Sequence, residues 1–186
     1  MQSAVTLRKA ALADIHAIQG IYSESVFNGV ATYELVPPSL QEMTGRFETI
    51  CSNGYPYIVA EVDGGLAGFA YASAFRIRAA YRFMVEDSIY LLPDFRGKGI
   101  GRMLLERLVQ DCTALGFRQM IAVIGGANPA SIAVHRAAGF QSTGSMAGSG
   151  YKFGRWLDTQ FMQLALGEGT SSSPAAGVYP DGLYRD

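Results

Sequence analysis

Apolar and polar positions along this chain follow two periods, and the period changes at turn residues. Val5–Lys9 alternates in the two-residue rhythm of a short strand. Ile15, Ile18, Ile21 and Tyr22 then recur at helical spacing behind Asp14, which is placed to cap the helix, and Asn28-Gly29 breaks it. Pro37-Pro38-Ser39 leads into a second helix over Leu40–Ser52, where Ser39 and Glu42 have the spacing of a capping box. Tyr57–Val62 and residues 66–75 read as two strands joined by a hairpin turn at Asp63-Gly64-Gly65. Residues 86–92 form another strand, stopped by Pro93, and a helix then runs to Leu115 with Gly116 as its stop. Residues 119–124 are the next strand, expected parallel to 86–92 because a helix connects them. A helix over 130–138 and strands over 141–145 and 156–165 complete the pattern. From Gly167 the chain is rich in Gly, Ser and Pro and is predicted to be a flexible tail. There is no internal repeat.

The turn after residues 86–92 is Arg96-Gly97-Lys98-Gly99-Ile100-Gly101. A glycine-rich turn entering a helix gathers backbone N–H groups in one concavity, and the first N–H groups of a helix have no internal partner. The helix dipole adds positive potential, so such a turn binds phosphate. Glycine permits positive φ and close approach of the ligand, and Arg96 and Lys98 add charge. A dinucleotide fingerprint needs a glycine where this chain has Arg102, and a nucleoside-triphosphate loop needs Ser or Thr where it has Gly99. What is left is Arg96-x-x-Gly99-x-Gly101. The plain alternative is an ordinary glycine-rich helix start.

That remaining pattern resembles the acyl-CoA pyrophosphate loop of the GCN5-related N-acetyltransferase superfamily. Asn128-Pro129-Ala130-Ser131-Ile132-Ala133-Val134-His135-Arg136-Ala137-Ala138-Gly139-Phe140 resembles that superfamily's next helix, in which an Asn opens the helix near the cofactor and Gly-Phe closes it. Val85-Glu86-Asp87-Ser88-Ile89-Tyr90, Val123-Ile124, His135 and Lys152-Phe153-Gly154-Arg155-Trp156-Leu157-Asp158 are similar to its phosphinothricin and methionine sulfoximine acetyltransferase branch. The resemblance implies an α/β fold over residues 1–166, with a mixed, mostly antiparallel sheet flanked by helices and splayed where the cofactor enters. It implies acetyl-CoA as co-substrate, held by Leu91, Leu92, Arg96, Gly97, Lys98, Gly99, Ile100, Gly101, Asn128 and Ser131. It also suggests a homodimer.

Composition narrows the partners. The 186 residues are 49% hydrophobic, enough for a sizeable core in one domain. A net charge of −1 without a basic block argues against nucleic acid, and no apolar run approaches a membrane span. Arg8 and Lys9 are not followed by an apolar signal core, which points to the cytoplasm. Cys51 and Cys112 lack metal-type spacing, so no metal is expected, and they are expected as reduced core thiols.

Acetyl transfer to an amine needs a neutral nitrogen, a polarised thioester carbonyl and a proton for the departing thiolate. Glu86 is the candidate base, since its counterpart in the branch is the proposed base; Asp87 points to the opposite face by strand alternation. The bland reading of Glu86 is a solvated strand-end acid. His135 suits proton transfer near neutrality; the superfamily mostly carries Tyr there, and the role of His, as acid or as partner in amine deprotonation, stays open. A structural helical His is its bland reading. The resemblance assigns the oxyanion contact to a backbone N–H of Leu91 or Leu92. Substrate selection is expected from Phe27 and Tyr33 between the first helices, from Phe75, Arg76, Arg78 and Tyr81 before Glu86, and from Lys152. Arg is suited to bidentate capture of a carboxylate, although scattered loop charge is the alternative. The expected activity is transfer of acetyl from acetyl-CoA to the amine of a small amino acid or analogue, by direct attack in a ternary complex. A peptide N-terminal acetyltransferase and a non-catalytic acyl-CoA-binding sensor are the competing readings.

Overall fold

The computed structural model describes residues 4–184. In chain order these are β1 (Val5–Lys9), α1 (Ile15–Asn28), α2 (Leu40–Ser52), β2 (Tyr57–Val62), β3 (Gly65–Ala74), β4 (Met84–Leu91), α3 (Ile100–Leu115), β5 (Gln119–Gly125), α4 (Pro129–Ala137), β6 (Gln141–Lys152) and β7 (Arg155–Ala165). The strands form one sheet in the order β1-β2-β3-β4-β5-β7-β6. All neighbours are antiparallel except β4 and β5, which the α3 crossover makes parallel.

That parallel pair positions the site. Its ladder runs only from Met84↔Gln119 to Asp87↔Ala122. Beyond it β4 stays with β3 through Leu91↔Gly68, while β5 stays with β7 through Gly125↔Thr159. The two strands therefore part, and a gap opens between residues 88–91 and 123–125. The Tyr33 hydroxyl helps hold the β5 side: it accepts from Gly126 N–H at 3.0 Å and donates to the Asp158 carbonyl at 3.0 Å.

Each face of the sheet has its own core. On one face α1 buries Ile15, Ile18, Ile21, Tyr22 and Val26 beside Tyr57, Val59, Phe69 and Tyr90. On the other, α3 buries Ile100, Leu104, Leu105, Leu108 and Cys112 beside Ile58, Ala70, Val85 and Met120. Each such aliphatic side chain contributes about 1.5–3 kcal/mol of transfer free energy, which fixes which face of each helix turns inward.

Most expected elements stand, with four differences. Asp14 occupies the helix start, but its carboxylate accepts from Ala11 N–H and the Arg8 guanidinium instead of capping α1. β4 begins at Met84 rather than Glu86, because its pairing with β5 starts there. β6 runs to Lys152, well beyond the expected residue 145; its Ser- and Gly-rich stretch is exposed and is held by the ladder to β7, so no apolar alternation marks it. The segment after Gly167, read as a flexible tail, lies against the domain. The Arg118 side chain donates to the Gly169 carbonyl at 2.9 Å and the Ser172 carbonyl at 2.7 Å. Tyr179 packs edge-on against Phe117, Pro180 is buried, and Asp181 pairs with Arg82 at 3.3 Å. A few anchors hold a segment whose average composition is that of a linker.

Candidate active site

The glycine turn has the shape a phosphate needs. Gly97 and Gly99 take φ of +72° and +83°, a left-handed conformation that suits glycine, and the space where a Cβ would stand is open at both. Gly99 caps α3, so the N–H groups of its first turn point out of the helix start. Ile100 is buried and anchors that turn, and a Cβ on Gly101 would stand 3.2 Å from Leu91 Cδ1. Lys98 is exposed with its Nζ 5.5 Å above the Phe95 ring. Arg96 faces elsewhere than expected. Its guanidinium donates to the Leu91 carbonyl at 3.0 and 3.2 Å and pairs with Glu24 at 2.7 Å, so it braces the turn from behind.

Strand pairing separates the two candidate oxyanion donors. Leu92 N–H donates to the Ala67 carbonyl at 3.0 Å and is spent within the sheet. Alternation along β4 turns Leu91 N–H to the other edge, into the gap that β5 has vacated.

Glu86 and Asp87 divide between the two faces. Glu86 is half-buried on the α1/α2 side, in line with Ser88 and Tyr90. Burial, followed by the like charge of Asp87, raises its pKa to about 6, against an opposing pull from Arg76. Asp87 is buried on the α3/α4 side, where its Oδ2 lies 3.0 Å from His135 Nε2. His135 is buried as well, and its Nδ1 lies 2.7 Å from the Ser131 carbonyl. Burial pushes the His135 pKa down, and its bond to Asp87, the Asp87 charge and the Ser131 carbonyl together push it up further, so it ends above its ordinary value. Asn128 caps α4 by accepting Ser131 N–H at 3.1 Å. Glu86 and His135 thus flank the same stretch of β4 from opposite sides. Sequence reasoning sent Asp87 to the face opposite Glu86 but gave it no partner; the structure places it against His135.

The residues expected to select substrate fall into two groups. Arg76, Ile77, Arg78 and Tyr81 line an open depression of about 400 Å³, with Phe75 edge-on to Tyr81 at 5.5 Å and under the Arg76 guanidinium at 4.4 Å. Phe27 is exposed at the end of α1. Tyr33 and Lys152 are braces. Tyr33 fits a notch where a Cβ on Gly150 would lie 2.6 Å from its ring, and its hydroxyl is engaged as described above. Lys152 is buried, with its Nζ donating to the Thr32 carbonyl at 2.9 Å. Beside them runs a network not foreseen: the Tyr22 hydroxyl bonds Thr32 and Glu34, and Glu34 pairs with Arg46.

Both cysteines are free thiols, and burial pushes the pKa of each upward, which removes them as ready nucleophiles. Among the described residues no helix is long and apolar enough to cross a membrane.

Comparison with known proteins agrees with this geometry. Residues 21–140 match the model of the Acetyltransferase (GNAT) family. The chain is 45% identical to a phosphinothricin N-acetyltransferase of Alcaligenes faecalis, over 92% of this chain and 87% of that protein. It is 40% identical to an L-methionine sulfoximine/L-methionine sulfone acetyltransferase of Pseudomonas aeruginosa, over 91% and 98% of the two chains. A crystal structure of a GNAT superfamily phosphinothricin acetyltransferase from Sinorhizobium meliloti in complex with AcCoA superposes with a TM-score of 0.97, at 64% identity and full coverage of both chains. With the family model matching most of its length, the chain belongs to the GNAT acetyltransferase family.

Proposed function

We propose that this enzyme transfers acetyl from acetyl-CoA to the α-amine of a small amino acid or analogue of the phosphinothricin or methionine sulfoximine type. The observation that carries the reading is Glu86: a half-buried carboxylate with a pKa of about 6, beside the β4–β5 gap and within reach of the field of Arg76. A base with that pKa is ionised at neutral pH and still basic enough to accept a proton. Acetyl-CoA brings the activated acyl group, and the residues present fit it, since Gly97, Gly99 and the start of α3 offer open, positively polarised backbone. Leu91 N–H is aimed into the gap where an acyl oxygen needs a donor. Glu86 accepts the proton of the attacking amine, through water or directly, and His135 serves the departing sulfur. Arg76 and Arg78 hold the substrate carboxylate, and Phe75 and Tyr81 wall its side chain. Lys98, Asn128 and Ser131 border the cofactor path. Attack is direct, within a ternary complex.

The same reading places the protein in the cytoplasm as a homodimer. Tyr151 and Trp156, cross-strand partners on β6 and β7 with rings 5.2 Å apart, are both exposed and offer apolar surface for self-association. Thiol release from acetyl-CoA, measured across amino-acid analogues, their amides and short peptides, tests the function. Turnover confined to peptides would transfer it to protein N-termini, and binding without any turnover would leave an acyl-CoA sensor.

A further inference from the structure

The segment after Gly167 has no part in the scheme above, yet it is bonded at two points to one joint, where the loop bearing Arg76, Arg78 and Tyr81 enters β4. Met84↔Gln119 is the first rung of the parallel ladder, and just before it the Phe83 carbonyl accepts from Arg118 N–H at 2.9 Å and Gln119 N–H at 3.2 Å. An arginine stands on each side of that joint. Arg118, just before β5, donates from its side chain to the Gly169 carbonyl at 2.9 Å and the Ser172 carbonyl at 2.7 Å. Arg82, at the end of the loop, reaches the later part of the segment: its Nη2 pairs with Asp181 Oδ1 at 3.3 Å. Around Asp181 the segment is firmly seated. Tyr179 lies edge-on to Phe117, Pro180 is buried, Leu183 packs on the α3-side core, and the Tyr184 and Tyr55 hydroxyls are 2.7 Å apart. Asp181 is therefore carried on backbone with its own anchors and offers Arg82 a fixed point.

The loop's own bonds are local. Tyr81 N–H donates to the Arg78 carbonyl at 2.8 Å and Arg82 N–H to the Ala79 carbonyl at 3.2 Å, which makes one 3-10 turn over Ala79–Tyr81. A turn that short is weak when it stands alone. Arg82 ties it down. Its Nη1 donates to the Ala79 carbonyl at 2.8 Å, its guanidinium carbon lies 4.8 Å from the centre of the Phe83 ring, and its Nη2 goes out to Asp181. One guanidinium thus joins the turn, the start of β4 and the C-terminal segment. The pair is sheltered, with side chains 30% and 18% exposed, so water screens it less than an open surface pair. Its Nε is buried with no hydrogen-bond partner among the described residues, and removing the Asp181 charge would leave still less to offset that burial.

We propose that Arg82 and Asp181 are positioning residues for amine recognition: through them the C-terminal segment acts as a strap that fixes the loop from Phe75 to Arg82, and with it Arg76, Arg78 and Tyr81, in the place from which they take the substrate carboxylate. The proposal rests on the acetyl-transfer reading above and on the carboxylate clamp within it. The strap bears on the amine and not on acetyl-CoA. It packs at the C-terminal end of α3, where a Cβ on Gly116 would stand 3.2 Å from Val178 Cβ. The glycine turn lies at the other end of that 16-residue helix, about 24 Å away at the rise of an α-helix.

The test joins amide hydrogen exchange to steady-state kinetics on the full chain, with acetyl-CoA and the better of phosphinothricin and methionine sulfoximine. Asp181→Asn keeps the shape of the side chain and removes its charge; Arg82→Gln keeps a donor for the Ala79 carbonyl. Each should raise KM for the amine by about threefold to tenfold, the scale of one sheltered ion pair. kcat at saturation and KM for acetyl-CoA should stay within about twofold. The preference for the free amino acid over its amide should shrink by a like factor. The double variant should cost no more than the worse single, as for two residues that act through one another. Arg82→Lys keeps the charge and should recover part of the loss. Exchange over residues 79–82 should quicken in Asp181→Asn and Arg82→Gln, while α3 and β5 keep wild-type rates. Unchanged exchange in that loop would overturn the proposal. So would faster exchange with an unchanged KM for the amine, which would leave the strap a matter of stability alone. KM values for amine and acetyl-CoA that rise together would overturn it as general loosening. Should Arg82→Gln fail to fold, Asp181→Asn and Arg82→Lys decide the matter. Wild-type protein that turns over no amine refutes the acetyl-transfer reading instead, and exchange then still reads whether Asp181 holds the loop.

Discussion

The guanidinium of Arg96 donates twice to the carbonyl of Leu91, at 3.0 and 3.2 Å, and closes the loop from β4 to α3 into a ring of contacts. Its third bond, to Glu24, ties that ring to α1. Arg96 therefore shapes the glycine turn from behind, with its guanidinium spent on Leu91 and Glu24. Arg96→Ala should weaken acetyl-CoA binding by about tenfold, the scale of a charged hydrogen bond, with little change in kcat at saturation. Arg96→Lys cannot make the paired contact and should behave nearly as badly. Calorimetric titration with acetyl-CoA checks both; a Lys variant with wild-type affinity would make the residue a simple point charge.

Gly99 tests the turn more directly. Its φ of +83° is strained for any β-branched residue, and the space above it is open. A ligand bound only by the folded state raises Tm by mass action. Acetyl-CoA should stabilise the wild-type chain and fail to stabilise Gly99→Val. Equal Tm shifts in the two proteins would place the cofactor elsewhere.

How much of this was legible in the sequence follows the physics of each signal. The glycine turn between strand and helix was, because it is local: glycine spacing, a strand before it and an apolar helix after it all lie within one stretch of chain. The capping box at Ser39 and Glu42 was legible for the same reason, and it forms as expected. Tyr33 and Lys152 were read as substrate contacts because resemblance places residues near a site without saying which way they point. Their partners, Gly126, Asp158 and Thr32, lie 93 to 125 residues away in sequence, and no periodicity reports such pairs. Arg96 was misdirected by a neighbour 72 residues away, Glu24. β6 was cut short because an exposed edge strand needs no apolar alternation to keep its ladder.

Tyr33 as a brace carries its own expectation. Tyr33→Phe removes an acceptor from Gly126 N–H and a donor to Asp158, at part-buried and exposed ends of the same hydroxyl. The loss should be about 1–3 kcal/mol of stability. Chemical denaturation reads it as a lower midpoint with an unchanged slope. KM for the amine should stay within about threefold if the side chain contributes no substrate hydrogen bond. A large KM effect without loss of stability would restore it to the pocket.

Under the proposed function, Glu86 sets the acid limb of the rate. Its pKa of about 6 means that the base is mostly ionised at pH 7 and is lost as pH falls through 6. Below that point kcat/KM should drop about tenfold per pH unit, as for any single required base. Glu86→Gln should remove that limb and lower kcat by roughly 10²–10⁴-fold, with acetyl-CoA affinity retained. A Gln variant that keeps both the rate and the limb would return Glu86 to the role of a strand-end acid.

Under the proposed function, substrate class turns on Arg76 and Arg78. Both are exposed at the rim of the depression before β4, and Arg76 already acts on Glu86 through its charge. A guanidinium there can take the carboxylate of an amino acid and leave its α-amine pointing toward Glu86 and the gap. The Arg76 guanidinium lies over the Phe75 ring, 4.4 Å from its centroid. If the clamp operates, amidation of the substrate carboxylate should cost about 1.5–3 kcal/mol in transition-state binding, the worth of a charged hydrogen bond. Arg76→Ala or Arg78→Ala should erase that discrimination and spare acetyl-CoA affinity. Arg76→Ala should also raise the acid-limb pKa, because the charge that opposes protonation of Glu86 is gone; a lysine at this position should hold the limb in place while losing the bidentate grip. Equal kcat/KM for the free amino acid and its amide would remove the carboxylate from recognition, and a preference for peptides over every free amino acid would give the depression to a protein N-terminus.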